Sequence, residues 1–230
     1  VTGVQTCALP ILLVKKELNI KERRVMSYFI TSAKQLIEEE GIEKLTVRKV
    51  AAGAGYNSAT LYNYFDDMEE LVVFASIGYL KQYIACLENT LTKDMNAKKR
   101  YRTVYEVFSR ACFERPEIFY SLFYGKYKKK LKNAVSVYYD IFPDELGHHN
   151  GEVLQMLTQG EIVERDKAMM PSLVEQGFIQ EENVEQTVIL ITRMFQSYLY
   201  DAWIKNDEGD IDSQIAAVMN TFDYIMDKAK

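Results

Sequence analysis

Cysteine and histidine are scarce in this 230-residue chain, which has three cysteines and two histidines. No CxxC pair occurs, so we do not expect a disulfide-stapled domain or a zinc finger, and a reducing compartment fits the composition. No run approaches the roughly 18–20 apolar residues that a membrane helix requires. The sequence therefore predicts a protein without disulfides or membrane spans.

Motifs of catalysis and cofactor binding are also missing. The sequence has no nucleophile elbow, no HExxH and no P-loop. GAGYNS at 53–58 lacks the third glycine of a dinucleotide loop and follows a helical pattern instead of a strand. His148 and His149 are adjacent, so their side chains diverge, and no acidic or thiol partner has ligand spacing. We expect no enzyme activity, no cofactor and no metal site.

Positive charge is in slight deficit, with 28 Lys and Arg against 33 Asp and Glu and a net charge of −5. This balance argues against a protein that coats nucleic acid by charge alone. The distribution is uneven, because the chain through Phe65 holds nine basic and six acidic residues. A DNA-binding surface on this first part is compatible with an acidic whole, since steering depends on where the charges lie.

Residues 1–14 form a separate segment that begins VTGVQTCALPI and contains Pro10. It has no positively charged start, unlike a signal peptide, and it resembles translated adapter sequence. We expect this segment to be non-native or disordered and exclude it from the fold.

Helical periodicity dominates the remaining sequence and predicts an all-α protein. Asn19 and Glu22 form a capping-box pattern that opens a first helix, which Gly41 ends. Thr46 caps a second short helix, Gly55 supplies the following turn and Asn57 caps a third. These elements make a three-helix head over residues 15–66.

The larger body, residues 67–230, is predicted to hold longer helices. Asp67 and Glu70 open a fourth helix of about 25 residues that reaches Leu91. Residues 144–151 are the most loop-like part of the second half. Further helices are predicted over Tyr101–Glu114, from Pro116, and over 127–141, 152–176, 181–205 and 211–228.

The head contains a helix-turn-helix pattern in TVRKVAAGAGYNSATLYNYF, residues 46–65. A reading helix exposes small or polar side chains at its N-terminal half, where base edges are reached. Tyr62 and Tyr64 offer hydroxyls suited to phosphate oxygens, and Arg48 can bind guanine or a phosphate. The candidate DNA-contact residues are Thr46, Arg48, Asn57, Ser58, Ala59, Thr60, Tyr62 and Tyr64.

Residues 29–72 resemble the tetracycline-repressor (TetR) family of transcriptional regulators. The resemblance rests on G-x-x-x-L-T-V-R-x-V-A-x-x-A-G, then T-L-Y-x-Y-F and E-E-L. It implies a cytoplasmic homodimer that represses from a palindromic operator and is released by a small-molecule effector. It also implies phosphate contacts for Thr46 and Tyr64, base-facing positions for Ser58 and Ala59, and positions near backbone or base for Arg48, Thr60 and Tyr62.

The sequence departs from the family pattern at two places. Met68 stands where relatives commonly have a phosphate-directed lysine, within the acidic run Asp66-Asp67-Met68-Glu69-Glu70, and Tyr56 replaces a small aliphatic residue. The alternative is therefore a TetR-like ligand-binding or interaction module with weak or lost DNA binding. Residues 15–24, with a local charge of +3, can compensate. We interpret the basic run 126–132, KYKKKLK, as a solvated helix face, with a second nucleic-acid site as the alternative.

The body is rich in tyrosine and other aromatic residues. At helical spacing these are most often core, but in a body of this family some should line an effector cavity. An aromatic or amphipathic small molecule is the favoured effector. The candidate effector-binding residues are Tyr105, Phe108, Cys112, Phe123, Met156, Met169 and Tyr198.

The last two helices are predicted to form the dimer as a four-helix bundle with their twofold mates. Such symmetry would place two reading helices about 34–36 Å apart, one turn of DNA. The apolar faces predicted for this contact are Val188, Ile191, Phe195 and Leu199 on one helix and Ile215, Val218, Phe222 and Ile225 on the other.

Overall fold

A computed structural model describes residues 18–205 and 210–230, so the predicted segment 1–14 lies outside the described residues. Within these ranges the chain is helical and contains no β-strand, which confirms the all-α prediction. The α-helices are α1 (Ile20–Glu40), α2 (Val47–Ala54), α3 (Ser58–Leu61), α4 (Met68–Ile77), α5 (Leu80–Thr90), α6 (Ala97–Glu114), α7 (Pro116–Phe123), α8 (Lys128–Ile141), α9 (Gly151–Thr158), α10 (Ile162–Lys167), α11 (Met170–Glu175), α12 (Val184–Lys205) and α13 (Ile211–Lys228).

The caps predicted for the head are present. The Asn19 side chain accepts the Glu22 backbone N–H while the Glu22 carboxylate accepts the Asn19 N–H, at 3.0 and 2.9 Å. Thr46 and Asn57 cap α2 and α3 through their side chains. Gly55 ends α2 at φ +78°, in the left-handed region that glycine tolerates best. Local signals thus set the boundaries of the helix-turn-helix.

The head encloses a small aromatic core that continues into the body. Phe29 and Phe65 meet edge to face at 6.2 Å, and Phe65 meets Phe74 of α4 at 5.6 Å. Ser32 on α1 donates its hydroxyl to the Val50 carbonyl of α2 at 2.9 Å. Phe65 therefore packs on both α1 and α4 and joins the core of the head to that of the body.

The predicted fourth helix is interrupted, so the prediction of one continuous helix is wrong. α4 ends at Ile77 and α5 begins at Leu80. At the break the Tyr79 N–H bonds to the Ser76 carbonyl, three residues back, and Lys34 of α1 donates to the Gly78 carbonyl at 3.3 Å. A side chain of the head therefore binds the backbone where the body helix changes path.

The stretch Met68–Thr90 is more apolar than the sequence suggested. By length and mean hydropathy (1.3) it could cross a membrane, but 72% of its most apolar window is buried inside the protein. Core helices of globular folds meet the same test, and α4 contacts α1, α7 and α8. The burial accounts for its composition.

Residues 152–176 form the short helices α9, α10 and α11, so a single helix over this stretch is also a wrong prediction. Gly160 lies between α9 and α10 and is buried against α8. A Cβ at Gly160 would lie 2.5 Å from the Lys132 Cα and 2.8 Å from the Leu131 carbonyl oxygen. The turn between α9 and α10 passes so close to the backbone of α8 that only glycine fits at position 160.

Gly160→Ala should therefore destabilise the fold by about 1–3 kcal/mol, the usual cost of overpacking, because the clash is with backbone atoms that cannot rotate away. Chemical denaturation of wild type and variant measures the loss. Gln159→Ala, at the exposed neighbouring side chain, is the control and should cost much less. Equal stability of the two variants would contradict the close approach.

Candidate DNA interface, helical cavity and outer helix face

The reading helix α3 presents a polar N-terminal end to solvent. Leu61 is fully buried, whereas Asn57, Ser58 and Ala59 are exposed. Asn57 Oδ1 accepts the N–H of Thr60 at 2.9 Å and its hydroxyl at 3.0 Å. Ser58 and Ala59 are thus the small exposed side chains that could approach base edges, while Asn57 and Thr60 mainly hold the helix start.

The other DNA-contact candidates differ in exposure. Arg48 is exposed on the first turn of α2, and Thr46 is exposed while it caps that helix. Tyr62 is 55% exposed, a large value for an aromatic residue, whereas Tyr64 is partly buried against the core. Arg48 and Tyr62 therefore extend into solvent, and packing in the core does not account for either side chain.

The basic start of the chain is described only in part. Lys21, Arg23 and Arg24 are exposed on the first turns of α1. Lys15 and Lys16 lie outside the described residues. Tyr56, the other departure from the family, packs its ring on Phe29 at 5.4 Å and therefore completes the head core.

The acidic run after α3 has a structural role. Asp67 accepts the Glu70 N–H at 2.7 Å, and Glu70 accepts the Asp66 N–H at 2.6 Å, so two carboxylates cap α4. Asp67 also pairs with Lys130 of α8 at 2.5 Å. The hydrogen bond from Lys130 and the backbone bond from Glu70 lower the pKa of Asp67. Part of the negative charge near the reading helix is thereby compensated from the body.

A small cavity of about 20 Å³ lies within the body. This volume holds about one water molecule and is far below the 300–1,000 Å³ of ordinary ligand pockets. Its walls come from α5, α6, α9 and α10 and from Met169, which directly precedes α11. The lining residues are Tyr83, Tyr101, Val104, Tyr105, Phe108, Met156, Ile162, Arg165, Asp166 and Met169.

Two buried ionisable residues, Arg165 and Asp166, distinguish this cavity from ordinary core. The Arg165 guanidinium donates to the carbonyls of Leu157 and Gln159 at 3.3 and 3.4 Å. It forms no ion pair within residues 18–205 and 210–230. It also lies over the rings of Phe108 and Phe123, at 5.9 and 5.5 Å from their centroids.

The carboxyl of Asp166 has a strongly raised pKa. Burial raises the pKa of its carboxyl to about 7, and the hydroxyls of Tyr105 and Tyr101 and the Arg165 guanidinium limit the rise. Tyr105 donates to Asp166 Oδ2 at 3.0 Å. The buried Tyr101 hydroxyl lies near the same carboxyl but makes no well-formed hydrogen bond to any described residue. A perturbed carboxyl in a cavity, beside such a hydroxyl, is a typical mark of a binding site.

The structure gathers four of the seven candidate effector residues in this cavity: Tyr105, Phe108, Met156 and Met169. Phe123 and Cys112 are buried but absent from its lining, and Tyr198 is partly buried on α12 with its hydroxyl 3.0 Å from Thr221 of α13. Sequence reasoning missed Arg165 and Asp166, because a charged pair in VERDKA is typical of a solvated helix.

A larger polar cleft of about 490 Å³ lies elsewhere in the body. An ion pair from Arg100 to Glu152 at 2.5 Å lines it, and His148 Nδ1 lies 3.1 Å from the Glu88 carboxylate. None of the candidate effector residues borders it. Among the described residues no group of three His, Cys, Asp or Glu side chains could hold a metal ion, here or elsewhere.

The apolar faces predicted for dimerisation are used within the chain. Val188, Ile191, Phe195, Leu199, Ile215, Val218 and Phe222 are all buried, and Ile225 is partly buried. The prediction of these faces is wrong, because α12 and α13 use them to pack on each other and on the body.

A different stripe of α12 and α13 is left open to solvent. The large apolar side chains Ile189, Leu190, Tyr200 and Ile204 of α12 are 41–55% exposed, and Tyr224 of α13 is 65% exposed. On α13 the small residues Ser213, Ala216 and Asn220 precede Tyr224 at helical spacing and are also exposed. We call these residues the outer face of α12 and α13. Such a face is suited to close helix packing.

Comparison with known proteins places this arrangement. Residues 29–73 match the model of a family described as bacterial regulatory proteins, tetR family. A TetR-family regulator structure from Syntrophomonas wolfei is 16% identical, with 90% of this chain and 96% of that chain covered and a TM-score of 0.58. Thermus thermophilus FadR, a TetR-family repressor in complex with lauroyl-CoA, is 13% identical, with 86% of this chain and 92% of that chain covered and a TM-score of 0.57. RolR in complex with its ligand resorcinol is 18% identical, with 91% of this chain and 95% of that chain covered and a TM-score of 0.51. No significant match is found among curated protein sequences.

An exposed α3 on a three-helix head, joined to a larger helical body, is a helix-turn-helix arrangement. Residues 29–73 carry the match to the tetR family of bacterial regulatory proteins, and the chain is similar in fold to a solved TetR-family structure over 90% of its length.

Proposed function

We propose that the protein is a homodimeric transcriptional repressor that binds a palindromic operator and is released by a small molecule. The observation that carries the proposal is the exposed end of α3, Ser58 and Ala59, held over a buried Leu61. We assign the head, residues 15–66, to DNA and the body, residues 67–230, to effector and dimer. Such a regulator would act in the cytoplasm, where its operator lies.

The DNA contacts would divide by chemistry. Arg48 is the group with the fork geometry for guanine or phosphate, and Ser58 and Ala59 are small enough for base edges. Thr46, Tyr62 and Tyr64 would bind phosphates and fix the register, with Asn57 and Thr60 at the helix start. The rival hypothesis of lost DNA binding rested on the acidic run, and its capping bonds and the Asp67–Lys130 pair weaken that argument.

The cavity around Arg165 and Asp166 is our candidate effector site. Its apolar walls suit an aromatic or amphipathic molecule, and the relatives FadR and RolR were solved with lauroyl-CoA and resorcinol. Arg165, Tyr101 and a protonated Asp166 would supply hydrogen-bond donors, so the effector should carry an acceptor such as a carboxylate or phenolic oxygen. A cavity of about 20 Å³ must open to admit it.

A structural change that opens the cavity would be transmitted to the head through α5. Tyr83 of α5 lines the cavity and donates to Met156 Sδ at 3.6 Å. α5 joins α4 at the Gly78 break, and α4 begins directly after the reading helix region. An effector would release DNA only to the extent that it binds the open form better than the closed one.

The decisive experiment is recovery of bound sequences from random duplex DNA by wild-type protein. We expect enrichment of a palindrome and, on it, a loss of about 10- to 100-fold in affinity for Arg48→Ala, the range of a lost bidentate contact. Tyr64→Phe, which removes only one hydroxyl, should cost less.

Arg48→Lys is the matched variant, because it keeps the charge but cannot form the fork. It should retain affinity for random DNA and lose discrimination for the operator. Recovery of no preferred sequence by wild type would favour the alternative, a TetR-like module with weak or lost DNA binding.

A further inference from the structure

The start of α8 carries a dense basic run whose members have different partners. Lys130 pairs with Asp67, and Lys132 pairs with Glu161 at 3.3 Å. Lys126 lies over the ring of Tyr127, 4.8 Å from its centroid. Lys128 and Lys129 are exposed and form no ion pair with any residue in 18–205 or 210–230. Two adjacent positive charges therefore project from this end of the body.

This run lies beside the head. The Lys130–Asp67 pair ties α8 to the residue that caps α4, only two positions after Phe65 and next to Met68. Glu69 and Glu43 are close enough to Lys126 to help raise its pKa, although the hydrogen bond to Tyr127 contributes most. Glu43 precedes Thr46, the candidate phosphate contact of α2, by three residues. The basic run thus borders the elements that are assigned to DNA.

We propose that Lys128 and Lys129 bind the DNA phosphate backbone beside the contacts of the head, so that the body itself is part of the DNA-binding surface. The inference rests on the proposed DNA-binding function. Relatives commonly have a phosphate-directed lysine at the position of Met68. Lys128 and Lys129 would take over that contact from α8. Lys130 supports them by neutralising Asp67, which would otherwise repel the same phosphates.

DNA is the occupant that the charges favour. The head is only modestly basic, at nine basic against six acidic residues through Phe65, so further phosphate contacts are needed for tight binding. The lysines lie on the first turn of α8, a 14-residue helix, where the positive end of the helix dipole adds attraction for an anion.

The test is a salt series on operator and on random-sequence duplex with wild type and Lys128→Gln/Lys129→Gln. Each phosphate contact contributes about 0.9 to the slope of log affinity against log salt. With four lysines per dimer, the double variant should reduce the magnitude of this negative slope by about 2–4 and weaken binding at least about tenfold at low salt. Sequence preference should not change, because phosphate contacts carry none.

The matched control is Lys93→Gln/Lys99→Gln, which removes the same charge from exposed positions beyond the C-terminal end of α5. It should keep the wild-type slope, and Lys128→Arg/Lys129→Arg should restore it in the basic run. An unchanged slope for the Lys128/Lys129 glutamine variant on random duplex would overturn the inference. Because random duplex suffices, that result differs from failure to recover an operator, which bears on the proposed function.

Discussion

Leu190→Asp should turn a dimer of twice 26.6 kDa into a monomer and reduce operator affinity by at least about a hundredfold. Leu190 is 45% exposed on the outer face of α12 and α13, beside Ile189 and in line with Tyr200 and Ile204. In a twofold contact each substitution acts twice, so a dimer would bury two new carboxylates against apolar side chains.

The loss of DNA binding would follow from the loss of the second head. Two linked heads bind with an effective concentration that a single head does not have, and that factor typically reaches 10²–10⁴. Asn133→Asp adds the same charge to an exposed position of α8 and should leave the mass unchanged. Light scattering on both variants gives the answer. A dimeric Leu190→Asp protein would show that this face is not the interface.

Asp166→Asn should stabilise the protein above pH 7 and remove a dependence of stability on pH. Burial raises the pKa of Asp166 from 3.8 to about 7, so between these values the folded state holds a proton that the unfolded state has lost. The free energy of unfolding therefore falls as pH rises from about 4 to 7, and the penalty, about 4 kcal/mol, is complete above pH 7. Asparagine does not ionise in either state.

The measurement is urea denaturation of wild type and Asp166→Asn from pH 5 to pH 8. We expect the stability advantage of the variant over wild type to grow by about 2–3 kcal/mol from pH 5 to pH 8, since only the wild-type carboxyl ionises and the asparagine oxygen can still accept the Tyr105 hydroxyl. Asp144→Asn, at an exposed carboxylate, is the control for loss of surface charge. A wild-type slope that survives in Asp166→Asn would contradict the assignment to this carboxyl.

The head could be predicted closely because its signals are local. Asn19 with Glu22, Thr46, Asn57 and Asp67 each bond within three residues, so chain spacing alone identifies the caps. The resemblance to TetR regulators lies in the same stretch and is confirmed by the match over 29–73. The role of the acidic run could not be foreseen, since its partner Lys130 is 63 positions away.

The body was less predictable because its features depend on packing. The breaks at Gly78 and Gly160 are fixed by Lys34 and by the backbone of α8, which contact them across the fold. The apolar faces of α12 and α13 were assigned to a partner because periodicity shows that a face is buried, but not against what. The burial of Arg165 and Asp166 depends on short helices whose ends the pattern did not show.

The most direct test of the account is a footprint of wild-type protein on the DNA recovered from the random pool. We predict two protected half-sites related by a twofold axis, with centres about 10 base pairs or a multiple of one helical turn apart, and Arg48→Ala should weaken both equally. A single asymmetric site, or protection without sequence preference, would contradict a twofold repressor that reads DNA with α3.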